Sequence, residues 1–164
     1  MKITVTAQVG SQYAPFVRRK LKQTHTLLKS RTTKQSPRIA MRGLSTLQEL
    51  SIVLVNDRRM SELHHCYMND DSVTDVLTFP IDTDDSGAVT SGEVYVCVPY
   101  ARREAKSRGV DAKHEILLYA IHGMLHLLGY DDRTSADFAK MHRTEDEILT
   151  RLGIGPVFDR EAAR

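Results

Sequence analysis

The chain has 164 residues, 41% of them hydrophobic and 27% charged, with nine Gly, five Pro and two Cys. That length fits one domain around a single core, and the composition excludes a disordered, collagenous or disulfide-framed chain. The net charge of +2 hides a split: residues 1–48 hold ten Lys or Arg and no acid, whereas the remainder holds 13 basic and 21 acidic residues.

A basic N-terminal third suits contact with a polyanion, because neutralising phosphates releases counterions. It equally suits a solvated helix face balanced by acids from elsewhere in the fold. The apolar run ahead of His122 spans residues 116–121, six residues, against the ~20 needed to cross a bilayer. With no signal-like apolar block at the N-terminus, a cytoplasmic protein with no membrane contact is expected. Cys66 and Cys97 match no CxxC-type motif and read as reduced packing residues.

In chain order, residues 2–8 alternate Ile3, Val5 and Ala7 with polar neighbours, the pattern of a half-buried strand. Tyr13, Phe16, Val17, Leu21, Leu27 and Leu28 recur at near-helical spacing, with Arg18, Arg19 and Lys22 between them. This predicts an amphipathic helix with a basic outer face. Residues 30–43 read as a mobile connector and 49–55 as a strand. Asn56 then caps a helix over 57–68. A polar turn over 70–75 leads into a strand over 76–81, whose Pro80 marks an edge or terminus because proline cannot donate to a central ladder.

The acidic, Gly-containing stretch 82–92 reads as a flexible loop, and 93–98 as another strand. Pro99 opens a helix that runs to Arg108 and is ended by Gly109. Asp111 caps a long helix to Leu128, stopped by Gly129, and a last amphipathic helix covers 134–152 before a ragged tail. Four strands and four or five helices without regular alternation point to a single-domain α+β fold. Its expected parts are a basic strand-helix segment (1–48), a core (49–152) and a tail (153–164).

The helix over 116–128 is apolar almost all round, yet it holds His122 and His126, four residues apart and therefore on one face. Two buried imidazoles need partners, and one divalent cation satisfies both. Gly129 lets the chain reverse so that Asp132 can return to the pair. Two imidazoles and a carboxylate are the donor set of open catalytic zinc sites. Each piece alone has a plain structural reading: a lone buried His is usually hydrogen-bonded in the core, and Asp132 can belong to the cap region of the next helix. Together they favour metal ligation. Asp131 and His142 are lower-ranked third ligands. His25, His64, His65 and His114 form no pattern with the pair.

The string is similar to the metzincin protease motif H-E-x-x-H-x-x-G-x-x-H, but Gly123 stands where those enzymes carry their general-base Glu. This disfavours a metalloprotease. A helical Gly at that point has two readings, close approach of another backbone or a substrate to the metal, or tight helix-strand packing.

The stretch HGMLHLLGYDD (122–132), with TDVLTFP (74–80), GEVYVC (92–97) and MHRTEDEIL (141–149), resembles the YbeY family of bacterial metal-dependent endoribonucleases. Their corresponding patterns are HGxLHLxGYDH, TDVLSFP and GDIVIC. The resemblance covers about residues 49–152. It implies an α+β fold with a mixed four-stranded sheet, one zinc ion per chain and cleavage of single-stranded RNA at the 3′ end of small-subunit ribosomal RNA. It also implies association with the small ribosomal subunit, a part in ribosome quality control, and contact with an Era-type GTPase.

Two departures from the family stand out. Its third His is Asp132 here, a set that also admits Fe, Mn or Ni. Many members carry an Arg where this chain has Met68, which cannot clamp a phosphate, so another cation, such as one from the basic N-terminal helix, has to do so. The reading of the residues is therefore a metal held by His122, His126 and Asp132, with Glu93 and Asp75 as weak candidates for proton acceptor and Arg18, Arg19 and Lys22 as candidate RNA contacts. The rival reading is a non-catalytic RNA-binding ribosome assembly factor with a structural metal.

Overall fold

The computed structural model describes residues 1–31 and 44–157. Its strands are β1 (Lys2–Ala7), β2 (Glu49–Val55), β3 (Val76–Thr83) and β4 (Val89–Cys97). Its helices are α1 (Ala14–Arg31), α2 (Asp57–Met68), α3 (Val98–Arg108), α4 (Ala112–Leu127) and α5 (Ser135–Arg151). One mixed sheet runs in the order β1-β2-β4-β3, with β1, β2 and β4 parallel and β3 antiparallel to β4. The fold is the expected single-domain α+β, and β3, with Pro80, is an edge strand as proline requires.

Strand periodicity sorts the core into two faces. Leu50, Ile52 and Leu54 of β2 and Val94 and Val96 of β4 turn toward α1 and α4, meeting Val17, Leu21, Ile121 and Leu125. Their alternates Val53, Val55, Tyr95 and Cys97 turn toward Met60 and Leu63 of α2. A helix that is apolar all round must be buried all round. Accordingly α4 lies on the sheet with α1, α3 and α5 packed around it, and eleven of its residues are buried from Glu115 to Leu127. Each fully buried Leu or Ile there stabilises the fold by ~1.5–3 kcal/mol.

The caps fall where polar side chains predict them. Asn56 accepts from the Arg59 N–H at 2.8 Å and Asp111 from the Lys113 N–H at 2.9 Å. Thr134, not Asp132, caps α5, accepting from the Asp137 N–H at 3.1 Å.

Residues 82–92 differ from expectation: they are not a flexible loop. Thr83 pairs with Val89 and Asp82 with Ser91, so both strands extend into the stretch and only residues 84–88 turn. Asp84 Oδ1 accepts from the Ser86 and Ala88 N–H groups and the Ser86 hydroxyl, closing a tight hairpin from the very residues that read as loop-like. Of the expected tail over 153–164, residues 158–164 lie outside the described residues, and the buried Val157 N–H donates to Asp146 Oδ1 at 3.0 Å. Cys97 is a buried packing residue, but Cys66 is exposed rather than packed in the core. The connector over 30–43 lies outside the described residues except for residues 30 and 31, which end α1. Among the described residues no helix is long and apolar enough to cross a membrane.

Candidate metal centre

The C-terminal end of α4 sets the site. Gly129 takes φ +90°, open to glycine and strained for other residues, and allows a Schellman turn. In it the Tyr130 N–H returns to the Leu125 carbonyl at 3.0 Å and the Gly129 N–H to the His126 carbonyl at 2.9 Å. The reversal brings Asp132 back over the histidine face. Asp132 Oδ2 stands 3.6 Å from Nε2 of both His122 and His126, and the two Nε2 atoms are 3.0 Å apart. Donors ~2.0–2.1 Å from a tetrahedral ion stand ~3.3 Å from one another, so the triangle has the dimensions such an ion needs.

The far side of each ring is fixed. His122 Nδ1 donates to Glu145 Oε1 at 2.7 Å, and His126 Nδ1 donates to the Tyr130 carbonyl at 3.1 Å. Carboxylate and carbonyl oxygens only accept, so both Nδ1 atoms carry the proton and both Nε2 lone pairs face the carboxylate of Asp132. Three lone pairs converge on one point. The residues present therefore fit a divalent cation, and this is the one group of His, Cys, Asp and Glu among the described residues whose ligand atoms all come within 4.8 Å of one another.

The surroundings favour positive charge at that point. Burial pushes His122 down, but the hydrogen bond to Glu145 and the charges of Glu145, Asp132 and Asp75 outweigh it and leave its pKa raised. Burial likewise pushes the Glu145 carboxyl up, and the hydrogen bonds from His122 and His142 more than reverse this. The same negative field that stabilises an imidazolium stabilises a metal cation.

A cleft of about 470 Å³ opens onto the triangle, lined by His122, His126 and Asp132 together with Asp75, Thr78 and Met68. Asp75 is therefore at the site, its Oδ1 held by the Val76 N–H at 2.7 Å and the Thr74 hydroxyl at 3.0 Å. Glu93 is not. Strand alternation turns it to the other face of the sheet, where it accepts from the Tyr95 hydroxyl at 2.9 Å.

The rival ligands are engaged elsewhere. Asp131 is paired with Arg133 at 2.6 Å, which holds its carboxyl down at about 2, and His142 donates to Glu145 Oε2 at 2.6 Å. Gly123 answers to packing. A Cβ there would meet Val94 Cγ1 at 2.5 Å and Thr78 Oγ1 at 2.8 Å, so its absence lets α4 lie directly on the sheet. Arg18, Arg19 and Lys22 are exposed on α1 as expected, but none lines the cleft. Arg18 donates to the Val5 carbonyl at 3.2 Å, and Lys22 borders a separate hollow with Lys20 and Arg151.

Sequence reasoning missed Glu145. The available signal is its place on the buried stripe of α5 with Met141, Ile148 and Leu149, because an acid buried there needs partners. Thr144 and Asp146 are also buried on α5, so the signal marks a polar network without naming its member.

Comparison with known proteins finds relatives in both fold and sequence. The solution structure of TM1509 from Thermotoga maritima shares the fold, with a TM-score of 0.56 at 24% identity over 92% of this chain and 91% of that one. Proteins named endoribonuclease YbeY align at 39% identity over 108 residues in Protochlamydia amoebophila (65% of this chain, 72% of that protein) and at 35% over 124 residues in Moorella thermoacetica (70% and 80%). In Pseudomonas putida the figure is 37% over 117 residues (70% and 74%). The family model described as endoribonuclease YbeY matches residues 16–153, a span that holds the whole histidine-aspartate triangle and the cleft around it, and the chain belongs to that family.

Proposed function

We propose that this protein is a metal-dependent endoribonuclease that cleaves single-stranded RNA in maturing the 3′ end of small-subunit ribosomal RNA, and that it works in the cytoplasm. The observation that carries the reading is the convergence of His122 Nε2, His126 Nε2 and Asp132 Oδ2 at 3.0–3.6 Å on the floor of an open cleft. Three protein donors are the number found in catalytic sites, where a fourth position stays open, whereas structural sites are closed by four. This favours the enzyme over an assembly factor with a structural metal. Family membership supports RNA as substrate. The small ribosomal subunit, a part in ribosome quality control and contact with an Era-type GTPase rest on the family resemblance alone.

His122, His126 and Asp132 hold the ion, one zinc per chain, though Fe, Mn and Ni suit the same donors. When bound, such an ion supplies Lewis acidity to a phosphodiester oxygen and lowers the pKa of water. Glu145 and the Tyr130 carbonyl keep both imidazoles in the Nδ1–H form, which leaves Nε2 free to ligate. Asp75, the acid on the cleft wall, is assigned as proton acceptor. The cleft admits an unstacked strand more readily than a duplex. Met68 lines it without charge, and phosphate contacts are assigned to Arg18, Arg19 and Lys22 on α1, outside the cleft itself, on the strength of their exposed positive charge.

Elemental analysis of purified protein combined with gel-resolved cleavage of single-stranded RNA tests the reading. An H126A protein that folds and binds RNA but no longer cleaves it is the expected result. Unchanged cleavage by that variant removes the proposal.

A further inference from the structure

Glu145 is fully buried, and both its oxygens are used: Oε1 accepts from His122 Nδ1 at 2.7 Å and Oε2 from His142 Nδ1 at 2.6 Å. The two rings flank the carboxylate nearly parallel, 23° apart with centroids separated by 6.2 Å. His142 sits three residues before Glu145 on α5, its side chain 13% exposed, and Phe138 closes on it edge-to-face at 4.1 Å. Its donor is thereby aimed by its own helix.

We propose that His142 is a positioning residue for the metal centre, acting through Glu145 on His122. A carboxylate with one buried oxygen unsatisfied lowers its energy by rotating toward any donor within reach. The donor within reach is His122 Nδ1–H, and rotation about the Glu145 side chain would carry that ring with it, away from the point where Asp132 and His126 meet. His142 occupies the second oxygen and so fixes the carboxylate plane, which fixes the His122 ring and keeps its Nε2 on the shared focus. Partners behind a ligating histidine are worth 10–100-fold in metal affinity. The inference rests on His122 being a ligand and adds a residue that touches neither metal nor substrate.

The test separates a lost N–H from a lost side chain. Asn and Leu have nearly the same shape, and the Asn Nδ2 occupies the place of the His Nδ1. H142N therefore keeps the donor to Glu145, and H142L removes it. Zinc affinity is measured by competition with a chromophoric chelator, alongside melting of the metal-free proteins and imidazole ¹⁵N shifts of His122. The expected result is affinity within a few-fold of the parent for H142N and about 10–100-fold weaker for H142L, with His122 losing its single Nδ1–H signature only in H142L.

Equal affinity in H142L and the parent overturns the positioning role while leaving the metal site intact. A parent protein that takes up no divalent metal overturns the site and this inference together. Should H142L fail to fold, H142M takes its place as the variant without a donor and is read the same way, and a large loss of affinity in H142N, which keeps the donor, also overturns the proposal.

Discussion

His122 and His126 face each other through Nε2 atoms 3.0 Å apart, while each gives its Nδ1 proton to a different acceptor on its far side. Without a cation, one of the two must take an extra proton to hydrogen-bond to the other. Metal binding to the folded chain therefore relieves a conflict built into the native state, and removal should lower stability. Any ligand that binds only the folded form stabilises it by about 2.7 kcal/mol at one hundred times its Kd. Thermal melts with and without chelator should differ by several degrees for the parent, and H126A should show no such difference.

Asp132 gives the triangle a carboxylate beside its two imidazoles, with a chemical consequence. A divalent ion with two neutral imidazoles and one carboxylate carries net charge +1, whereas three imidazoles leave +2. The less positive site acidifies water less, so the pH profile of cleavage should lie at higher pH than for a three-histidine site. D132H should move the rising limb of the profile to lower pH. A D132H profile superimposable on that of the parent contradicts the assignment of Asp132 as a ligand.

Much of the site was legible because it is local. His122, His126, Gly129 and Asp132 lie within one helix end and its turn, and helical spacing plus one positive-φ residue suffices to bring them together. Glu145 was illegible for the converse reason. It reaches His122 from a separate helix 23 residues on, and only the packing of α5 on α4 makes the pair. Strand alternation already separates Glu93 from Val94, but which face carries the site depends on where α4 packs, so the acid on the wrong face looked as eligible as Asp75. The hairpin after Pro80 was misread because Asp84, Ser86 and Gly87 are the residues of both flexible loops and tight turns. Composition does not distinguish the two.

Gly123 tests the packing of α4 on the sheet. Alanine is the better helix former by ~1 kcal/mol, yet its Cβ would lie 2.5 Å from Val94 Cγ1. Overpacking of this kind costs about 1–3 kcal/mol, so G123A should be less stable by about 1 kcal/mol. A V94A background removes the closer clash and leaves only Thr78 Oγ1 at 2.8 Å, so the same substitution should cost less there. Urea titrations of the four proteins in this double-mutant cycle measure the coupling, and additive effects would show that Val94 is not what excludes a side chain.

Asp57 opens α2 and is gripped by Arg103 through both oxygens, at 2.9 and 3.0 Å. The guanidinium hydrogen bonds hold its carboxyl below the usual range. A carboxyl depressed in the folded state stabilises the protein above its unfolded pKa and ceases to do so as pH falls through the folded value. Both partners are partly exposed, so the contribution is about 0.5 kcal/mol. D57N should lose that increment at neutral pH and show a shallower decline of stability as pH falls below the ordinary aspartate value. Denaturant midpoints across that range check it, and parallel acid limbs would deny the pair any role.

Met68 is 61% exposed and lines the candidate metal cleft at the end of α2. The thioether offers no charge to a phosphate, whereas a guanidinium there would reach into the cleft and bind one bidentately. M68R should therefore bind single-stranded RNA more tightly and cleave it faster at low substrate concentration. One added phosphate contact on a single strand steepens the dependence of log affinity on log salt by about 0.7, a signature that a merely better-packed surface would not produce. Binding isotherms of M68R and the parent at several salt concentrations should diverge toward low salt. Parallel lines would show that the strand passes Met68 without a phosphate facing it.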